Sequence, residues 1–200
     1  MLGIFLEPEG KLKNFIFKWK RRIKKSNLKT EYVNHPPHST IYLSSFVNEK
    51  KVIENLRNIT KKINSFKIQI NKTGLFINDS FTNKDTIYLN IKKNKKIYKL
   101  QKHFANNLRS LVKKDKLKVS KSFNKKMKSS MIKYGFPFVG SHWKPHFTIG
   151  SIKNFKEHYD YQSFKKTKIY YEQNVRSVSL WKIKKNSHKR IKTFRFKKRW

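Results

Sequence analysis

A short pattern that occurs twice in this chain constrains its fold more than any other feature. The first copy, His38-Ser39-Thr40-Ile41, is called the first motif, and the second copy, His146-Phe147-Thr148-Ile149, is called the second motif. The copies lie 108 residues apart, and each follows a proline and continues into β-forming residues. This separation is too long for a solenoid repeat. It favours two related halves that face each other across a cleft.

Residues i and i+2 of a β-strand project from the same face, roughly 7 Å apart along it. His38 therefore shares a face with Thr40, and His146 shares a face with Thr148. If the two strands come together, two imidazoles and two hydroxyls converge on one pocket. For either histidine alone, a structural role at a strand end is the simpler explanation. The matched pair instead favours a catalytic site.

The chemistry that fits such a pocket is phosphoryl transfer without a metal. Hydroxyl groups can donate hydrogen bonds to the non-bridging oxygens of a phosphate. A neutral imidazole can remove a proton from the attacking group while a protonated one donates to the departing oxygen. We therefore predict that His38 and His146 are catalytic, that Thr40 and Thr148 bind phosphate, and that activity has a bell-shaped pH profile.

The paired motifs resemble those of the 2H phosphoesterase superfamily, which includes bacterial 2′-5′ RNA ligases and 2′,3′-cyclic phosphodiesterases. That family carries His-x-(Thr/Ser)-apolar twice at a similar separation. The resemblance implies a single α+β domain over residues 1–200, bilobal and pseudo-two-fold, with two antiparallel sheets lining a central cleft and helices outside. It also implies an opening strand at Leu2–Leu6 and a closing hairpin from Ser177–Ile183 and Ile191–Phe196. Ser39 departs from the family, which usually has an apolar residue there.

The resemblance further implies a metal-independent phosphodiesterase that opens 2′,3′-cyclic phosphates at RNA ends, an activity that some relatives combine with reversible 2′-5′ ligation. The same chemistry would also serve a 3′-to-5′ RNA-trimming exonuclease or a 2′-5′ oligoadenylate phosphodiesterase. An alternative of another class is a non-catalytic basic RNA-binding protein. The motifs do not distinguish the acid histidine from the base.

The net charge of the chain indicates what kind of molecule it binds. The chain has 50 Lys and Arg against 11 Asp and Glu, a formal charge of +39. Such a surface attracts polyanions and repels another copy of itself. RNA ends, cyclic nucleotides and oligonucleotides are therefore the expected partners, and a monomer is the expected state. Because Lys greatly outnumbers Arg, part of this charge can reflect the base composition of the genome.

Other residues near the motifs are candidate substrate contacts. Tyr42 shares the parity of His38, so it could stack on a base or pack in the core. Trp143 and Lys144 precede the second motif and could contact substrate. The alternatives are that Trp143 is a packing anchor and that Lys144 is a solvated charge. His35 and His142 suggest a metal site, but no acidic residue lies nearby, so neither a metal nor another cofactor is expected. His103, His158 and His188 have no partner in the sequence and are expected at the surface.

Hydrophobic periodicity predicts the remaining elements. Cysteine is absent, which excludes disulfides and a thiolate nucleophile. No signal peptide or membrane-length apolar run is evident, so a cytoplasmic protein without membrane contact is expected. The predicted helices are Leu12–Ile23, Asn48–Ile63 with Asn48 as its N-cap, and Ile97–Val112, with a short helix or a loop in Lys113–Lys133. The predicted inner strands are Thr40–Phe46, Phe66–Ile70, Gly74–Ile77, Thr86–Ile91, Phe147–Ile149 and Ile169–Tyr171.

Overall fold

The computed structural model describes residues 1–26, 29–184 and 187–197, which form eight strands and five α-helices. The strands are β1 (Leu2–Leu6), β2 (Ser39–Ser44), β3 (Phe66–Asp79), β4 (Lys84–Ile91), β5 (His146–Ile152), β6 (Tyr171–Val175), β7 (Ser177–Lys184) and β8 (Ser187–Arg195). The helices are α1 (Gly10–Lys25), α2 (Glu49–Thr60), α3 (Lys95–Leu108), α4 (Lys125–Tyr134) and α5 (Tyr159–Lys166). Within the described ranges, no helix has the length and apolar character needed to cross a bilayer.

The strands form two four-stranded antiparallel sheets, as predicted. One sheet has the order β2-β1-β7-β8 and the other has the order β5-β4-β3-β6. The strands with the motifs, β2 and β5, are therefore edge strands of different sheets, and some of their Cα atoms approach within 8 Å. The closing hairpin is also confirmed, because β7 and β8 pair antiparallel. The α+β fold class is thus confirmed.

The two motif strands carry the same irregularity. Between β1 and β2, Phe5 pairs with Thr40 and Ile4 pairs with Tyr42, so that Ile41 is an extra residue. Between β4 and β5, the pairs Tyr88–Thr148 and Ile87–Gly150 leave Ile149 as the extra residue. Each β-bulge therefore falls on the last residue of its motif. A bulge interrupts the alternation of faces and re-aims the strand.

The helices follow from their apolar stripes and caps. In α1 the buried residues Leu12, Ile16, Trp19 and Ile23 recur every three or four positions, which places one face of the helix against the protein interior. Helix α2 begins after Asn48, whose side chain accepts a hydrogen bond from the Lys51 amide at 3.0 Å, as the N-cap prediction requires.

The prediction was wrong for three inner strands and omitted one helix. The segments Phe66–Ile70 and Gly74–Ile77 belong to one 14-residue strand, β3, which pairs with β6 along its first part and with β4 along its second. Helix α5 was not predicted. Residues 169–170 precede β6, which begins at Tyr171. In the ambiguous segment Lys113–Lys133, the short helix is present as α4.

Ser39 lies where the resembling family has an apolar residue. Its side chain is 1% exposed, and among the described residues its hydroxyl has no hydrogen-bond partner. A buried hydroxyl without a partner costs free energy of folding, because it loses its water. The core behind the first motif nevertheless remains closed, with Ile41 fully buried.

Candidate active site

His38 is held at the end of the turn that precedes β2. Its Nδ1 atom lies 2.7 Å from the carbonyl oxygen of Pro36, two residues back. Its ring stacks on Phe5 of the neighbouring strand, with the centroids 3.9 Å apart and the planes 19° apart. Because a carbonyl can only accept, Nδ1 must carry the hydrogen, and the lone pair of the neutral ring is then on Nε2.

His146 repeats this arrangement at the start of β5. Its Nδ1 atom lies 2.6 Å from the carbonyl oxygen of Lys144, again two residues back. The rings of Phe76 and Tyr88 contact the imidazole with their centroids 5.1 Å away. The same tautomer is therefore expected in both halves, with Nε2 as the free proton acceptor.

The threonines occupy equivalent positions in the two halves. Thr40 pairs with Phe5 and Thr148 pairs with Tyr88, and both threonine side chains are partly exposed. The turn before β2 is joined directly to β5, because Glu31 and Ser151 exchange two backbone hydrogen bonds of 2.9 and 3.0 Å. The structure thus places β2 and β5, the two motif strands, close to each other.

Burial lowers the pKa of both histidines. For His38, burial reduces the pKa from 6.5 to about 3 against the opposing effect of the Pro36 carbonyl, and the charge of Lys20 acts in the same direction as burial. Burial also lowers the pKa of His146, while the Lys144 carbonyl and the charge of Asp79 oppose the shift. Both imidazoles are therefore neutral at pH 7 in the free protein.

Lys20 was not singled out by sequence reasoning, although it lies beside the first motif. It is 4% exposed on α1, and its ammonium donates a 2.6 Å hydrogen bond to the Tyr32 carbonyl. Tyr32 adopts a left-handed conformation (φ 65°) at the start of the turn that leads to His38. Burial lowers the pKa of Lys20 to about 7. Its position on the apolar face of α1 was the signal that could have identified it.

Replacing Lys20 with methionine is expected to stabilise the protein below pH 7. The unfolded chain binds one more proton than the folded chain between pH 7 and 10.5, so the cost of burying Lys20 is complete below pH 7 and disappears towards pH 10.5. We expect the free energy of unfolding to rise by about 1–4 kcal/mol at pH 6 and by less at pH 10. The loss of the hydrogen bond to the Tyr32 carbonyl reduces the gain at both pH values. Urea unfolding at both pH values measures it.

Lys18→Met is the matched control, since Lys18 is exposed on the same helix. Its effect should be small and should not depend on pH.

The charge of Lys20 also lowers the pKa values of three neighbouring titratable groups, His35, His38 and His188. An equal loss of stability at both pH values for Lys20→Met would contradict the prediction.

His188 was expected at the surface without a partner, and this expectation was wrong. Its ring lies 4.1 Å from that of His35 and 6.4 Å from that of His38, measured between centroids. The contact joins β8 to the turn before β2, and sequence separation hid it. His142 instead places its Nε2 atom 2.7 Å from the carbonyl oxygen of Pro137. Over the described ranges, no group of three or more His, Asp or Glu side chains could hold a metal ion.

Tyr42 and Trp143 pack in the core rather than offering a surface to substrate. Tyr42 is 0% exposed and its hydroxyl donates to the Tyr134 carbonyl. A ring without exposed surface cannot stack on a base, so the core alternative holds for Tyr42, which the bulge at Ile41 turns inward. Trp143 is buried against the edge of Tyr98.

Lys144 is an exposed residue, but its ammonium is held at the site. It donates to the Tyr88 hydroxyl and lies over the Phe76 and Tyr88 rings, 5.4 and 4.9 Å from their centroids. A cation over aromatic faces is attracted by the ring quadrupoles. Lys144 is therefore a fixed positive charge two residues from His146, and a phosphate contact by it remains a prediction.

Comparison with known proteins identifies the chain's relatives. The family model of the 2′-5′ RNA ligase superfamily matches residues 8–187. The crystal structure of TT0787 from Thermus thermophilus aligns with a TM-score of 0.63 at 12% identity, covering 98% of this chain and 97% of that one. The structure of E. coli LigT complexed with 3′-AMP aligns with a TM-score of 0.54 at 10% identity, covering 98% and 97%. No curated protein sequence matches this chain at a significant level.

Proposed function

This chain belongs to the 2′-5′ RNA ligase superfamily, and we propose that it opens terminal 2′,3′-cyclic phosphates of RNA with His38 and His146 as its acid/base pair. One observation carries the proposal. In each half, an imidazole donates from Nδ1 to a carbonyl two residues back, which leaves Nε2 for proton transfer, and a threonine follows two residues later.

The reaction requires one histidine in each protonation state. The neutral imidazole removes a proton from a water molecule, whose oxygen attacks the phosphorus. The bond between phosphorus and one ribose oxygen breaks, and the imidazolium donates its proton to that oxygen. The product is a phosphate monoester and a free ribose hydroxyl. With an RNA 5′-hydroxyl as the nucleophile in place of water, the same steps form a phosphodiester, and their reverse regenerates the cyclic phosphate and the 5′-hydroxyl.

The threonine hydroxyls and the surface charge have separate roles in this proposal. Thr40 and Thr148 donate to the non-bridging oxygens, where negative charge grows in the transition state. The net charge of +39 attracts the RNA backbone without reading its sequence. Phosphate binding also raises the pKa of the nearby imidazoles, which allows one of them to be protonated.

The direct test uses an oligonucleotide that ends in a 2′,3′-cyclic phosphate, with EDTA in the buffer. We expect conversion to a single phosphate monoester, identified by chromatography against 2′- and 3′-phosphate standards. An absence of turnover, or turnover that EDTA abolishes, would contradict the proposal. Trimming of unmodified 3′ ends or cleavage of 2′-5′ oligoadenylate, assayed in parallel, would identify a different substrate for the same chemistry.

The pH dependence should reflect the lowered histidine pKa values. The profile of kcat/KM reports the free protein, in which one imidazole must be protonated and the other neutral. Because burial brings the pKa of His38 to about 3 and lowers that of His146 below 6.5, we expect an optimum on the acid side of pH 6.5 and a fall in rate as the pH rises. Initial rates from pH 4 to 9 measure it. An optimum above pH 7 would contradict this expectation.

A further inference from the structure

The two halves share a position that neither motif contains. The residue opposite the motif threonine on the neighbouring strand is aromatic in both sheets, Phe5 opposite Thr40 and Tyr88 opposite Thr148. Each aromatic residue directly follows the register shift caused by the bulge. The pseudo-two-fold relation therefore makes Phe5 and Tyr88 equivalent.

Each of these aromatic rings packs against the histidine of its own half. Phe5 stacks on the face of His38 at 3.9 Å, and Tyr88 meets His146 at 5.1 Å with the planes 60° apart. Both aromatic residues are 2% exposed. The hydrogen bond from Nδ1 fixes one atom of each imidazole, but the ring can still tilt about that atom. The aromatic neighbour removes this freedom, so the direction of Nε2 is set.

A glycine provides the space for each aromatic ring. A Cβ atom on Gly3 would lie 2.5 Å from Cζ of Phe5, and a Cβ atom on Gly74 would lie 2.3 Å from Cζ of Tyr88. Neither glycine has a positive φ angle, so space rather than backbone conformation requires a residue without a side chain. Gly3 lies on the same strand as Phe5, whereas Gly74 lies on β3 directly opposite Tyr88. Two different positions thus serve the same purpose.

The second half fixes its ring more extensively than the first. Tyr88 stacks on Phe76 with the centroids 4.2 Å apart, and its hydroxyl accepts from the Lys144 ammonium. The Lys144 carbonyl meanwhile accepts from His146, so this residue and Tyr88 hold the imidazole from two sides. Phe5 has no hydroxyl; its ring stacks on His38 and also lies near the ring of Trp181, with the centroids 6.3 Å apart.

We propose that Phe5 and Tyr88 are positioning residues that aim Nε2 of His38 and His146, and that Gly3 and Gly74 keep the space these rings need. The inference rests on the proposed acid/base function for its kinetic consequence, although the tautomer of each imidazole can be measured without it. Neither aromatic residue touches the reacting atoms in this scheme.

The kinetic test compares Phe5→Leu, Tyr88→Leu, Gly3→Ala and Gly74→Ala with the wild-type protein. A misplacement of about 1 Å in a reacting group can lower a rate by about 100-fold. We therefore expect kcat to fall by about 10- to 100-fold while KM changes by less than about 3-fold. Tyr88→Phe keeps the ring and should retain kcat within about 3-fold. Phe66→Leu is the control, since Phe66 is a buried ring that packs on Phe196.

The structural test uses the ¹⁵N NMR signals of the histidine rings, which distinguish the two neutral tautomers. We expect one Nδ1–H tautomer for His38 and His146 in the wild-type protein and a mixture in the Leu and Ala variants, because an imidazole that tilts no longer keeps its Nδ1–H aligned with the carbonyl oxygen that selects this tautomer. The milder variants Phe5→Met and Tyr88→Met are used if the Leu forms do not fold. This readout decides the positioning role even if the wild-type protein opens no cyclic phosphate.

The outcomes separate the two proposals. If the wild-type protein is active but the variants keep both their kcat and a single tautomer, the positioning role is wrong and the proposed function stands. If the wild-type protein is inactive while the variants lose the single tautomer, the positioning role stands and the proposed function is wrong. A loss of kcat in Phe66→Leu equal to that in Phe5→Leu would overturn the positioning role, because any core ring would then suffice.

Discussion

Replacing His38 or His146 with alanine is expected to lower kcat for cyclic-phosphate opening by about 10²- to 10⁴-fold, which is the usual contribution of one proton transfer by a side chain. Each histidine performs one of the two proton transfers, so the loss of either leaves the reaction without its acid or its base. KM should change little, because neither variant removes the threonines or the surface charge. Initial-rate kinetics on a cyclic-phosphate oligonucleotide measure both quantities.

The double variant provides a second measurement. Residues that act as a unit show strongly non-additive effects on rate. We therefore expect the His38→Ala, His146→Ala double variant to be little slower than the worse of the two single variants. The control is His103→Ala, because His103 is exposed on α3 beside Asn107. Its kcat should equal that of the wild-type protein.

Two results would count against the catalytic pair. Single variants that keep kcat within about 3-fold would exclude an acid/base role, because even the lower end of such contributions is about 100-fold. A wild-type protein without turnover that binds RNA as tightly as both variants would favour the non-catalytic RNA-binding alternative. RNA binding at several salt concentrations is therefore measured on the same preparations.

Replacing Thr40 or Thr148 with valine is the second large expected effect. Valine has nearly the shape of threonine but cannot donate to a phosphate oxygen. A hydrogen bond to a charged group contributes about 1.5–3 kcal/mol, so kcat/KM should fall by about 10- to 150-fold for each variant. Both strands should keep their structure, because valine has a high β propensity.

Serine at the same positions separates the hydroxyl from the methyl group. Thr40→Ser and Thr148→Ser retain the donor and should recover most of the lost kcat/KM. Thr193→Val is the control on an exposed strand position. The phosphate-binding role would be contradicted if the serine variants lost as much activity as the valine variants. In that case the methyl groups, and hence packing, would explain the threonines.

The fold shows which sequence patterns carry three-dimensional information. The opening strand Leu2–Leu6 was predicted with its observed bounds, because turn residues directly follow a short apolar run. The N-cap at Asn48 was also recognisable from local chemistry. By contrast, the unity of β3 could not be predicted, because its two parts pair with different strands and the chain between them is polar.

Side-chain parity predicts faces only as far as a strand remains regular. It placed Tyr42 on the face of His38 and Thr40, but the bulge at Ile41 lies between Thr40 and Tyr42 and turns the tyrosine into the core. A bulge depends on how two strands pair, so one strand alone does not reveal it. The contact between His35 and His188 was hidden in a similar way, because it depends on how the turn before β2 packs against β8.

The sequence by itself indicated the two-half architecture and singled out the four motif residues as candidates for the site, because a repeated pattern of chemically rare side chains is visible without coordinates. Only the tertiary structure decided how the imidazoles are held. Their carbonyl partners, the aromatic rings of Phe5 and Tyr88 and the glycines that leave room for them are brought together by pairing between strands. Such contacts depend on register and bulges, which are properties of assembled sheets rather than of any single segment.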